Sequence, residues 1–196
     1  MFVTLEGIDR SGKTTQAALL AEALGPETVR LREPGGTPAG ERIRELLKDP
    51  DLELSPGAEL LLFNAARAQL ATDVIAPARE RGIDVVCDRY IDSTVAYQGV
   101  ARELGIELVE QLNSLVVGDC IPDLTVLLRV DPDLAVDRSG DASDRFESEG
   151  VEFQRAVADA YDDLAERHPE RIAVVDGSAG VDEVAARILE LVEARR

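Results

Sequence analysis

The sequence predicts an α/β domain on the P-loop NTPase plan: a five-stranded parallel sheet with helices on both faces and a short lid segment near 138–150. Three observations predict it. Short apolar stretches of strand length alternate with helix-length stretches along the whole chain. A glycine-rich turn, Gly7-Ile8-Asp9-Arg10-Ser11-Gly12-Lys13-Thr14, lies between the first strand candidate and the first helix candidate. The 196 residues, 45% of them hydrophobic, suit a single domain over 1–196 with its own core.

Residues 2–6 (FVTLE) are apolar and β-prone, and the turn after them opens a helix from about Lys13 to Leu24. A second strand falls near 28–32 (TVRLR). Pro34-Gly35-Gly36 breaks the chain before a helix from about Pro38 to Lys48. Ser55-Pro56 reads as an N-cap followed by an N1 proline. They open a long helix through LLLFNAARAQLATDVIAPARERG, which Pro77 is expected to kink. Residues 84–88 (DVVCD) give the third strand. Helices over 92–101 and from about Ile106 to Val117 precede a strand over 123–130 (DLTVLLRV). Pro132 starts a short helix ending near Ser139-Gly140, and the polar stretch 140–150 (GDASDRFESEG) is expected to be mobile. A helix over 151–167, a strand over 171–176 (RIAVVD) and a helix from about Val181 follow. Ligands of doubly wound parallel sheets bind at the carboxyl ends of the strands, so the residues that follow each strand are the ones to weigh for chemistry.

The net charge of −18 argues against a general nucleic-acid binder. It permits a small anionic ligand where the local field opposes the global one. A GC-rich genome and a salty habitat both account for the acidic bias. Lys13 and Lys48 are the only lysines, and one of them sits in the phosphate motif. No apolar run approaches the ~20 residues of a membrane span, and Glu6 and Asp9 interrupt any signal-peptide core. The cytosol is the expected compartment. Cys87 and Cys120 lie in or beside apolar stretches and are expected as small buried hydrophobes, not as a disulfide. His168, just before Pro169, reads as a helix-end surface residue with no part in catalysis.

The turn matches G-x-x-x-x-G-K-[ST] in its required setting between a strand and a helix. Its glycines let backbone N–H groups converge on phosphate oxygens. Lys13 supplies charge to the β and γ phosphates, the Thr14 hydroxyl suits Mg²⁺, and the helix N-terminus adds favourable potential. A phosphate loop alone leaves kinase, GTPase switch and ATPase open. The guanine-reading N-K-x-D pattern is absent from the sequence.

Further residues fit a kinase acceptor site. Asp88 closes the DVVCD strand, where a Walker-B-like acid would hold Mg²⁺ through water; a turn-capping Asp is the alternative. Arg89 follows, and its guanidinium offers a bidentate fork to an acceptor phosphate. Phe63 and Arg67 share one helix face. From periodicity alone they read as a core aromatic with a solvated neighbour.

The segments FVTLEGIDRSGKTTQ, LREPGGTPAGERIREL, LLLFNAARAQL, VVCDRYIDSTVAYQG, PDLTVLL and SDRFE together make the chain resemble the thymidylate kinase family nearly end to end. The resemblance implies ATP and dTMP as substrates, Mg²⁺ as cofactor and a homodimer packed through the long helices beside the site. It implies that the phosphates of ATP contact Gly7 through Thr15, and that Phe63 stacks on thymine while Arg67 donates to its O4. It puts Thr94 and Gln98 near the base, with Ser93 on the same turn, and Tyr97 against the sugar, where it crowds a 2′-OH. Asp9 accepts from the 3′-OH, and Glu33, Pro34 and Arg44 lie near the acceptor phosphate. The Glu33-Pro34 pair also reads as a plain turn, and Tyr97 as simple packing.

The family stabilises the transferring phosphoryl with an arginine in the loop or in a basic lid. Here Arg10 occupies the loop position. The segment 138–147 (RSGDASDRFE) carries only Arg138 and Arg145 beside its acids, a departure from the strongly basic lid of some bacterial members. Arg10 is therefore expected to carry the charge, with Arg145 closing over the phosphates and Arg138 a helix-end charge. A kinase with another nucleoside or nucleotide acceptor, and a regulatory P-loop protein that hydrolyses nucleotide slowly, are the rival readings.

Overall fold

The computed structural model describes residues 1–137 and 149–196. In chain order they form β1 (Phe2–Glu6), α1 (Lys13–Leu24), β2 (Val29–Arg32), α2 (Pro38–Lys48), α3 (Pro56–Leu70), α4 (Ala76–Glu80), β3 (Val85–Asp88), α5 (Ile91–Thr94), α6 (Ile106–Val117), β4 (Leu124–Arg129), α7 (Pro132–Asp137), α8 (Val151–Arg167), β5 (Ile172–Asp176) and α9 (Val181–Glu193). The strands are all parallel, in the order β2-β3-β1-β4-β5. From β1 the chain crosses to β2 on one side, and from β3 it crosses to β4 on the other. The carboxyl ends of β1 and β3, with Leu5 opposite Asp88, therefore flank the crevice where the connections diverge.

The side-chain alternation of β1 explains the layering. Val3 and Leu5 pack with Leu20 of α1 and Val184 and Ile188 of α9. Phe2, Thr4 and Glu6 take the opposite face. There Phe2 meets the Tyr90 ring edge-on at 5.0 Å, and Thr4 shares a 2.8 Å hydrogen bond with Thr125. Helix starts follow the local signals: Thr37 and Ser55 accept from the Gly40 and Ala58 N–H groups, each followed by a proline in the first turn. Cys87 and Cys120 are free and buried, and His168 is the C-cap of α8.

Two helices depart from expectation. The long helix runs without a break from Pro56 through Pro77 to Glu80, but its middle is a π-helical segment, Ala71–Ile75, between α3 and α4. Pro77 lacks an N–H for the carbonyl four residues back and its ring crowds that carbonyl, so the widened turn just before it absorbs the conflict. The helix over 92–101 is one α-turn, α5, followed by a π-helical segment, Val95–Ala101, with Arg102 N–H bonded to the Tyr97 carbonyl. Helix α7 is described through Asp137, and the expected end near Ser139-Gly140 lies outside the described residues, as does most of the stretch expected to be mobile.

Asp92 of α5 is buried and held by Arg171 at 2.6 and 2.8 Å and by Thr125 at 3.0 Å, which ties α5 to the starts of β4 and β5. Arg171→Ala should destabilise the fold by about 3–5 kcal/mol, since it strands a buried carboxylate. Arg129→Ala, which breaks an exposed pair with Asp162, should cost less than about 1 kcal/mol. Urea unfolding of the two variants checks the ranking, and equal losses would contradict it.

Candidate active site

The phosphate loop joins β1 to α1. At Gly7 (φ 140) a Cβ would come within 2.6 Å of the Leu128 carbonyl, so only glycine lets the loop pass that close to β4. Gly12 (φ 96) is the N-cap of α1. Lys13 bends back over the loop, donating to the Ile8 carbonyl at 2.6 Å and to Ser11 Oγ at 3.2 Å. Burial, with the Arg89 charge adding, presses its pKa down to about 8. Thr14 Oγ1 donates to Asp88 Oδ2 at 2.5 Å. This hydroxyl–carboxylate pair is an all-oxygen donor set of the kind Mg²⁺ accepts, usually with one or two protein groups beside substrate phosphates. Among the described residues no cluster of three or more His, Cys, Asp or Glu offers a metal a fuller cage.

Arg89 follows β3 in a left-handed conformation (φ 70), as does Arg10 in the loop (φ 63). Such backbone costs a non-glycine residue about 1–2 kcal/mol and marks functional segments. Nη2 of Arg89 donates to Asp9 Oδ1 at 2.5 Å and to the Tyr97 hydroxyl at 3.2 Å, and its guanidinium lies 5.0 Å from the Tyr97 ring centre. Burial pushes the Asp9 pKa up, but the charges of Arg89 and Lys13 outweigh it and hold the carboxyl below its usual range.

A cavity of about 390 Å³ opens in front of these groups. From the loop come Asp9, Arg10, Lys13 and Thr14, and from β3 and its exit Asp88 and Arg89. The far wall is Glu33, Pro34, Arg44 and Phe63, and the floor is Ser93, Thr94, Tyr97 and Gln98. These predicted residues, scattered over the first half of the sequence, thus meet in one place. Arg10, Lys13, Arg32, Arg44, Lys48 and Arg89 give the cavity a basic lining inside an acidic chain. Thr15, Ser11 and Gly12 line a smaller hollow of about 120 Å³, with Gln16, Gly177 and Val181. Arg138 and Arg145 lie outside the described residues.

Arg67 differs from its expected place. It is 1% exposed and absent from the cavity lining. Its guanidinium is spent on Glu33 (2.8 Å), Thr94 (2.8 Å), Asn113 (2.8 Å) and the Tyr90 carbonyl (2.8 Å), beneath the wall. Glu33 pairs with it through Oε2, while Oε1 is buried with no partner among the described residues. Burial raises the Glu33 pKa against the pull of Arg67.

Sequence reasoning missed several contributors. Gln154 of α8 donates to Asp9 Oδ2 at 3.0 Å and accepts from the Asp9 N–H at 3.3 Å. Nothing local marks it, because its partner is 145 residues away. Lys48 had a signal, as one of the only two lysines. Arg32, at the end of β2, had the positional signal of any strand terminus. Glu59 of α3, which accepts from Gln98 at 2.7 Å, had none.

A phosphate loop facing a cavity rich in Arg and Lys across the switch point of a parallel sheet defines a P-loop phosphotransferase. A model of the thymidylate kinase family matches residues 5–188, and the chain belongs to that family. Among its relatives, the thymidylate kinase of Syntrophotalea carbinolica is 47% identical over 95% of this chain and 92% of its own length. That of Deinococcus radiodurans is 44% identical over 100% and 97%. The crystal structure of thymidylate kinase from Ehrlichia chaffeensis superposes with a TM-score of 0.83 at 36% identity, covering 98% of each chain.

The depressed Lys13 has a measurable consequence. In the folded protein it loses its proton near pH 8, against 10.5 for the ordinary lysine. Between those values the unfolded state holds more protons, so the cost of burying this ammonium falls as pH rises through that window. Phosphate oxygens placed at Nζ favour the charged form. Binding of a nucleoside triphosphate near pH 9 should therefore take up as much as about one proton per site, and almost none near pH 6.5. Calorimetry in buffers of different ionisation enthalpy reads this uptake. Its persistence in Lys13→Ala would remove Lys13 as the source.

Proposed function

We propose that the chain transfers the γ-phosphoryl group of ATP to dTMP, making dTDP for dTTP synthesis in the cytoplasm. The observation that carries this reading is the cavity opposite the phosphate loop, where Arg89 and Asp9 meet beside a ring-lined floor. A nucleotide-hydrolysing switch would need the loop but no second, acceptor-sized cavity facing it.

In this reading the loop N–H groups and Lys13 hold the ATP phosphates, and Arg10 lies against the phosphoryl in transit, where preorganised charge does most of the catalytic work. Thr14 and Asp88 would hold Mg²⁺, which supplies charge neutralisation on the phosphates. Arg89 receives the acceptor phosphate, with Arg44 at its outer side. Asp9 accepts from the 3′-OH, and its lowered pKa keeps it an acceptor at neutral pH. The Tyr97 ring fills the space a 2′-OH would need. Phe63, Thr94 and Gln98 face the base, and Arg67 acts on it through Thr94, while also holding Glu33 in place.

Coupled ADP release over a panel of mononucleotides tests the assignment. dTMP should exceed both its ribose counterpart and dCMP by about a hundredfold in kcat/KM, the scale of discrimination a shaped pocket supplies. Equal values for dCMP and dTMP would refute the base site, and ADP release independent of any acceptor would favour the switch.

We also infer a homodimer joined through α3 and α6. These helices pack on one another and leave Leu61, Leu108 and Leu115 exposed, the last at 81%. Sedimentation should give about twice the chain mass of 21.2 kDa, and Leu115→Glu should shift it to monomer. A wild-type monomer at micromolar concentration would overturn the inference.

A further inference from the structure

Glu6 ends β1 immediately before the phosphate loop, fully buried. Burial, reinforced by the Asp92 charge, pushes its pKa up to about 7. Groups from two other parts of the chain converge on it. Oε1 accepts from the backbone N–H of Tyr90 at 2.7 Å and of Ser93 at 3.3 Å. Oε2 accepts from the Ser93 hydroxyl at 2.6 Å and from the Tyr161 hydroxyl of α8 at 2.8 Å. The charged groups around it are Arg89, Lys13, Arg67 and Asp92, with Arg171 holding Asp92 and also acting on Glu6.

A hydroxyl has one proton to give. Ser93 and Tyr161 both spend theirs on Glu6, so their oxygens, 2.9 Å apart, remain as acceptors. Both lie beside Arg89. Nη1 is 3.2 Å from Ser93 Oγ, 3.5 Å from Tyr161 Oη and 3.1 Å from the Gly7 carbonyl. Nη2 is taken by Asp9 and Tyr97, and none of these bonds uses Nε. Glu6 also grips the peptide just after Arg89, through the Tyr90 N–H, where the chain leaves its left-handed turn.

We propose that Glu6 is a positioning residue for phosphoryl transfer: ionised, it turns the Ser93 and Tyr161 hydroxyls so that both accept from Arg89, and so fixes the guanidinium that meets the acceptor phosphate. This rests on the reading that Arg89 binds that phosphate. Glu6 itself touches no substrate.

Glu6→Gln tests it with almost no change of shape. An amide can keep its oxygen on only one side. Facing its NH₂ to the backbone N–H groups of Tyr90 and Ser93 sets donor against donor, with no rotor to relieve it. The NH₂ therefore turns to the two hydroxyls, which rotate and point their protons at Arg89. The expected result is a KM for dTMP raised about tenfold, the scale of one lost charge-assisted hydrogen bond. The KM for ATP should stay within about twofold, and the melting temperature at pH 8 within about 4 °C. In an Arg89→Lys background the same change should add less than about twofold, because the effect passes through the guanidinium.

Equal rises in both KM values, or the same tenfold factor in the Arg89→Lys background, would overturn the proposal. If Glu6→Gln is normal while Arg89→Lys is impaired, Glu6 loses its role and the reading of Arg89 stands. If Arg89→Lys leaves the KM for dTMP unchanged, the reading of Arg89 fails and takes the proposal with it. Should Glu6→Gln not fold, Tyr161→Phe removes one of the two oriented hydroxyls. It should raise the KM for dTMP about threefold with that for ATP unchanged, and no change there would equally overturn the proposal.

Discussion

Arg89 and Asp9 lie 80 residues apart in the chain and meet at 2.5 Å. Their contact exists because β1 and β3 are adjacent and parallel, with Leu5 opposite Asp88, so the loops that leave both strands open at the same edge. Most of the site is organised around that junction. Tyr97 and Gln154 hold Asp9 from two helical segments, and Thr14 reaches Asp88 across the gap between the strands. A shift of one residue in the pairing of β1 with β3 would turn Asp88 to the opposite face of the sheet and dissolve the arrangement.

Charge is distributed against the composition. The chain carries 39 acidic and 21 basic residues, yet among the residues lining the cavity six Arg and Lys face three acids. Exposed acids are screened over about a Debye length, whereas the cavity charges act at close range in a partly desolvated space. In the cavity wall and behind it the ions are paired: Glu33 with Arg67, Asp92 with Arg171. Apolar residues of similar volume would often serve stability as well or better. What the pairs do here is hold directions. Arg67 ties α3 to the exits of β2 and β3, and Arg171 ties α5 to the sheet, so the floor of the cavity is braced from below.

The two π-helical segments sit where a regular helix would conflict with its surroundings. Before Pro77 the conflict is internal to the helix. After Thr94 the widened turn lies directly under the cavity and carries Tyr97 and Gln98, both of which line it. Insertions of this kind recur at functional sites, since they re-aim side chains without breaking the helix.

The sequence by itself determined the architecture and the phosphate loop between β1 and α1. Strand-length apolar runs, N-capping Thr37 and Ser55 with their prolines, and the glycines of the loop act through backbone geometry within a few residues, so they can be read in order along the chain. That Arg89, Phe63, Tyr97 and Gln98 share one cavity beside the loop was legible through motif resemblance. Only the tertiary structure decided that Arg67 lies under the wall and not in the cavity, because whether a guanidinium donates to a ligand or to Glu33, Thr94 and Asn113 depends on residues brought together from three other segments. It alone placed Gln154 on Asp9 and the hydroxyls of Ser93 and Tyr161 between Glu6 and Arg89. That Glu6 closes an apolar strand was visible in the sequence. What satisfies it was not, since a buried carboxylate is stabilised by whichever donors the fold brings within 3 Å, and those come from parts of the chain as much as 155 residues away.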